Sequence, residues 1–193
     1  MDFRNSTQLD GDRLERMFLN ALERWPHDRL RVFVRYSRGA EYSGTCFYRD
    51  GRIYVNLGPK NRYPFRIETC IARARSNTTC WWRESYGIEV GSPYELVLFV
   101  FLHEVYHWLV RLARRNVRQK ESRCDRFAVR RLVERYGAVV TDRRGRPVDR
   151  QEWDFQDLDG FVAAARRPDR RRSAVRRRSV KNGPGWGRQL MLF

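Results

Sequence analysis

The 193-residue sequence predicts an α+β fold: a short antiparallel sheet with a hairpin at its edge, packed on two helices and followed by a disordered basic tail. Three observations carry that prediction. Strand-like alternation fills residues 30 to 57, a capped and almost wholly apolar helical stretch begins at Ser92, and the chain turns Arg-rich and apolar-poor from Arg166. The folded domain is placed at 1–165, the basic tail at 166–188 and a terminal peptide at 189–193.

Leu14, Met17, Phe18, Ala21, Leu22 and Trp25 recur at helical spacing, with Asp10 or Asp12 as cap and Pro26 as stop. This first helix turns its apolar stripe to the core. Leu30 to Tyr36 then alternates like a strand. A second strand, Thr45 to Arg49, meets Asp50-Gly51, a strong hairpin turn, and returns through Arg52 to Leu57. Residues 58 to 92 are least legible. Phe65 to Arg75 reads as a strand or a short helix. Trp81-Trp82 with Tyr86 either pack over the sheet or stack on bases, core packing being the commoner fate of such aromatics.

Ser92-Pro93-Tyr94-Glu95 starts a helix, with Ser as N-cap, Pro at the first helical position and Glu three residues after the cap. Leu96 to Leu102 are all apolar, so the helix is buried on most sides. It carries His103-Glu104-Val105-Tyr106-His107. Residues four apart share a helix face, so the two imidazoles can meet one ion while Glu104 reaches a water beside it. The alternative is a buried helix whose core histidines are satisfied by neighbours. A catalytic zinc needs a third protein ligand, and no histidine follows His107. Glu121 and Asp125, four apart on a second helical pattern that ends at Gly137, are the candidates. Val139-Val140 and Arg143 to Pro147 read as a short strand or turn, and Trp153 to Ala165 as a last helix.

Forty basic residues against 23 acidic ones give a net charge of +17, and 37 of the basic residues are Arg. Planar guanidinium groups suit phosphate, so the excess points to a polyanionic partner, nucleic acid first. The four cysteines form no CxxC pair and compel no disulfide. The N-terminus lacks the apolar run of a signal peptide, and no apolar run is long enough to span a bilayer. A soluble cytoplasmic protein, associated with the nucleoid and not with membrane, is expected. The tail arginines Arg170, Arg171, Arg172, Arg176, Arg177 and Arg178 are expected to contact DNA without sequence preference.

Two resemblances extend this reading. HExxH followed by Glu121-x-x-x-Asp125 resembles the gluzincin class of zinc metallopeptidases. Glu121-x-x-Cys124-Asp125-x-Phe127-Ala128 is similar to a signature of small ImmA/IrrE-like peptidases (minigluzincins), with Cys124 where that family usually has Ala. The resemblance covers about residues 30 to 136 and is specific at the two helices. It implies a small zincin-like domain, one Zn2+ held by His103, His107 and Glu121, Glu104 as catalytic base, and Asp125 orienting His103. It also implies an edge strand that pairs with extended substrate, for which Ile53, Tyr54 and Val55 are the candidates. A tyrosine is expected to stabilise the oxyanion, with Tyr106, Tyr86 and Tyr136 all open. The last five residues resemble the bacterial sliding-clamp-binding motif at Gln189, Leu190, Leu192 and Phe193.

These expectations combine into a zinc-dependent protease acting on DNA-associated proteins, recruited by its tail and clamp peptide. The alternatives are an ImmA-like regulatory peptidase of a mobile element that cuts a specific repressor, and a non-catalytic clamp- and DNA-binding adaptor with a structural zinc.

Overall fold

The computed structural model describes residues 1–116 and 121–163. The tail arginines and the clamp-like peptide lie outside the described residues.

Strand β1 (Asp2–Asn5) leads into helix α1 (Gly11–Ala21), whose Asp10 cap accepts a hydrogen bond from the Arg13 N–H. β2 (Arg31–Tyr36) returns parallel to β1, making a βαβ unit. β3 (Tyr42–Phe47) and β4 (Arg52–Leu57) form the hairpin expected at Asp50-Gly51. Gly51 has φ +67, a left-handed conformation that glycine adopts without strain. The sheet order is β1-β2-β4-β3, with β4 parallel to β2 and antiparallel to β3.

Two expectations change here. The sheet is mixed, not antiparallel. Ile53, Tyr54 and Val55 lie on an interior strand paired on both sides, so they are not an edge; the edge strands are β1 and β3, and β3 is the one that lies against α2. The strand sequences explain the order. Ile53, Val55 and Leu57 alternate into the core and suit a strand covered by neighbours, whereas Tyr42-Ser43-Gly44-Thr45 is polar and small, as edges tend to be. Tyr54 faces the other way, stacked on Phe33 at 5.0 Å with the Arg35 guanidinium 4.3 Å from its ring centroid.

The illegible stretch resolves into β5 (Phe65–Thr69), β6 (Ala74–Ser76), β7 (Trp81–Arg83) and β8 (Tyr86–Val90). β6 and β7 pair only with each other, as a two-stranded ribbon. Trp81 and Trp82 are therefore not core residues: they are exposed, while Tyr86 is buried. A three-residue strand in a ribbon that pairs with no second sheet has no core face to offer them.

Helix α2 (Pro93–Leu112) is the centre of the molecule. α1, β3, β4, β8, a second long helix and a C-terminal helix all contact it, so Leu96 to Leu102 are buried without exception. Phe18 of α1 stacks on Phe101 at 3.9 Å; truncating such a fully buried ring to Ala typically costs about 3–5 kcal/mol. That second long helix, α3 (Glu121–Tyr136), packs along α2 through Phe127 on Tyr106, 4.9 Å apart, and ends at Gly137, φ +67. Arg126 of α3 is buried and donates from Nε to the Ile71 carbonyl at 2.8 Å, fixing the loop after β5.

β9 (Val140–Thr141) adds to β8, giving a three-stranded sheet ordered β5-β8-β9. The last helix divides into α4 (Arg150–Trp153) and α5 (Leu158–Ala163). Asp154 breaks it by accepting from Arg130 and Arg150, and Asp157 starts the next turn by accepting from the Gly160 N–H at 2.8 Å. The architecture is α+β with several small sheets. Among the described residues no helix is long and apolar enough to cross a membrane.

Candidate metal centre

Ser92 caps α2 by accepting from the Glu95 N–H at 3.3 Å, and the Glu95 carboxylate accepts from the Gly91 N–H at 2.9 Å. Three turns on, His103 and His107 point the same way, their Nε2 atoms 3.2 Å apart. Glu121, in the first turn of α3, closes the triangle. Its Oε2 lies 3.1 Å from His103 Nε2 and its Oε1 3.3 Å from His107 Nε2.

Asp125, one turn further along α3, stands behind His103. Its Oδ1 is 2.8 Å from His103 Nδ1, and its Oδ2 accepts from the Cys70 N–H at 2.8 Å. Both oxygens are engaged, so Asp125 is held to orient the imidazole and not to turn toward an ion. With Nδ1–H donated to Asp125, the lone pair of His103 lies on Nε2, toward Glu121 and His107.

The charges follow from this packing. Burial alone would depress His103, but the Asp125 and Glu121 carboxylates outweigh it and push its pKa up to about 10. Burial and the charge of His103 lower His107. The hydrogen bond from His103 leads the effects that hold Glu121 below its ordinary range. Glu104 is pushed up to about 7, chiefly by burial. It lies against β3, where a Cβ on Gly44 would fall 2.6 Å from Glu104 Cγ and 2.8 Å from Cδ. Only a glycine leaves room for this carboxylate.

The donors fit a zinc ion. Ligands about 2.0–2.1 Å from a tetrahedral centre stand about 3.3 Å from one another. The two Nε2 atoms and the Glu121 oxygens are separated by 3.1 to 3.3 Å. Two facing imidazole nitrogens and a carboxylate are also the ligand chemistry zinc accepts. Sequence reasoning had treated Cys124 as a small buried residue. A ring nitrogen from each histidine and the Cys124 Sγ all lie within 4.8 Å of one another, so a His-His-Cys group can also hold a metal ion. Burial drives the Cys124 thiol strongly toward its protonated form.

A cavity of about 210 Å³ opens beside these residues, bounded by Tyr42, Gly44, Glu68, Phe99, His103, Glu104 and Asp125. None of the three tyrosines expected at the oxyanion borders it. Tyr106 is buried and donates to the Leu158 carbonyl, Tyr86 donates to Glu84, and Tyr136 is at the far end of α3, about 22 Å of helix rise from Glu121. The tyrosine at the cavity is Tyr42, which the sequence reading missed. The signal was present: Tyr42, Gly44 and Cys46 alternate on one face of β3, the face turned to α2.

No protein-family model, curated protein or solved structure matches the chain.

Proposed function

We propose that this chain is a zinc-dependent peptidase with a zincin-like domain of the gluzincin type, acting on proteins associated with DNA. One observation carries the reading: His103, His107 and Glu121 converge at ligand spacing while Glu104 is buried beside them against Gly44. A helix that merely satisfied its core histidines would need neither the glycine nor the third donor.

His103, His107 and Glu121 would hold the zinc, and Asp125 would fix His103. The bound ion supplies Lewis acidity, polarising a carbonyl and acidifying water. Glu104, with its proton affinity raised by burial, accepts a proton from the attacking water and delivers it to the leaving amine. An extended polypeptide pairs with the free edge of β3, whose main chain passes Glu104 at Gly44. Tyr42, kept protonated by burial, is the hydroxyl available at the cavity for the developing oxyanion. Recruitment rests on sequence: the Arg170 to Arg178 run for DNA, and Gln189, Leu190, Leu192 and Phe193 for the bacterial sliding clamp.

Glu104→Gln tests the reading. Zinc-loaded wild type should cleave a DNA-bound protein in the presence of DNA and clamp, and the variant should bind zinc equally and cleave nothing. Cleavage that survives in the variant, or none by wild type, sinks the proposal. Cys124 favours a second reading: a thiolate added to the two imidazoles and Glu121 would close the coordination sphere and leave a structural site in an adaptor.

A further inference from the structure

We propose that the β6–β7 ribbon and the arginine-lined cavity beside it form a binding surface for single-stranded nucleic acid, built into the folded domain and separate from the tail. Two observations meet here. Trp81 is 71% and Trp82 43% exposed, and neither ring stacks on another aromatic or beneath an arginine among the described residues. Indoles so placed on a ribbon present ring surface that no described aromatic or guanidinium group covers. Next to them is a cavity of about 450 Å³ lined by Arg83, Arg143, Arg144 and Arg146, with Glu84 and Asp142.

Its two acids already have partners. Asp142 is paired with Arg146 at 2.7 Å, and Glu84 with Arg75 at 3.4 Å. Arg143 and Arg144, by contrast, make no ion pair among the described residues, and Arg83 Nε is buried without a hydrogen-bond partner. Arg83 itself donates from a terminal nitrogen to the Cys70 carbonyl at 2.9 Å, so the guanidinium groups open to phosphate oxygens are those of Arg143 and Arg144, and the net balance of the cavity is positive.

The strand pattern joins the two parts. Trp81 and Arg83 are two apart on β7 and share a face, about 7 Å from each other along the strand. That is the reach between a base and its own backbone phosphate. Duplex bases are already stacked and paired, so they cannot lie on an indole. An unpaired strand can, with its phosphates in the arginine cavity. Charge and exposed aromatic faces together select single-stranded nucleic acid over an acidic protein, which would leave the indoles without planar partners.

The test uses the full-length chain, both native and with Arg170, Arg171, Arg172, Arg176, Arg177 and Arg178 changed to Ser so that the tail does not mask the ribbon. The probes are a labelled oligo-dT of about 16 nucleotides, an OB-fold-sized site, and a duplex of the same length. Trp81→Ala with Trp82→Ala should weaken oligo-dT binding by about 5- to 150-fold per stacked base and leave duplex binding unchanged. Replacing both indoles by Phe should restore most of the affinity, which a folding defect would not allow. Arg143→Ala with Arg144→Ala should lower the salt slope by about 0.7 for each phosphate lost. Unchanged oligo-dT affinity in the Ala variant, or equal losses on duplex, overturns the proposal; an unchanged salt slope removes the cavity from it. Binding is read without turnover and with or without zinc, so the outcome is independent of the peptidase reading.

Discussion

Two donor sets here could hold a metal ion, and one pair of variants separates them. Glu121→Ala removes the carboxylate whose oxygens stand 3.1 and 3.3 Å from the histidine nitrogens. Cys124→Ala removes the sulfur that lies within 4.8 Å of a ring nitrogen of each histidine. Glu121 is already ionised and mostly exposed, so it can bind without deprotonation or much desolvation. Cys124 is fully buried and must first lose a proton that burial makes hard to remove. Removing an outer partner of a ligating histidine costs about 10- to 100-fold in affinity, and loss of a direct ligand should exceed that range. We therefore expect Glu121→Ala to weaken zinc binding by more than about 100-fold, and Cys124→Ala by less than about 10-fold. Competition against a chromophoric chelator measures both, and a cobalt-substituted spectrum reports any thiolate bond directly. Equal losses, or a larger one for Cys124→Ala, would refute the His-His-Glu assignment and favour a closed structural site.

Other outcomes follow from the same geometry. Gly44→Ala forces Glu104 to give way by about 1 Å, a displacement that can lower turnover about 100-fold, while zinc content stays at the wild-type level by elemental analysis; normal turnover would show that Glu104 has slack. Asp125→Asn should lower zinc affinity by about 10- to 100-fold, less than loss of Glu121, because it frees the His103 ring without deleting a ligand. Metal-free protein should lose stability as pH rises. The folded pKa of His103 (about 10) and that of Glu104 (about 7) both lie above their ordinary values, so their contributions are full below those values and lost as pH climbs through the folded ones. His107, pushed down, acts oppositely at the acid end. Urea melts of chelated protein between pH 5 and about 10 check this, and a profile flat across the alkaline limb contradicts it.

The local features of this chain were legible because local chemistry decides them. Ser92, Pro93 and Glu95 announce the start of α2, Gly137 the end of α3, and Asp50-Gly51 the hairpin; each acts within four residues. The HExxH spacing likewise put two imidazoles on one helix face before any fold was known. Sheet order was not legible in the same way. Whether β4 lies at the edge or inside depends on β2, whose pairing partners, such as Val32 for Ile53, are 21 residues away, and no short-range signal encodes it. Glu121 and Asp125 were candidates from their spacing and only the resemblance divided their tasks; the physical ground for that division, the Cys70 N–H on the second oxygen of Asp125, comes from a distant loop. Gly44 and Tyr42 escaped notice because their importance lies in what faces them across a layer.

Consecutive residues of α3 hold consecutive residues of one loop: Asp125 binds the Cys70 N–H, and Arg126 binds the Ile71 carbonyl. The ribbon begins three residues later, at Ala74. The loop is thus a shared mount, with the aim of His103 set at one end and the placement of two indoles at the other. A ligand that pulls on the ribbon pulls on a loop held in part by Asp125, the carboxylate against the imidazole. Thermodynamic reciprocity then leaves no freedom in sign: by whatever factor occupancy of the ribbon alters zinc affinity, zinc alters affinity at the ribbon by the same factor.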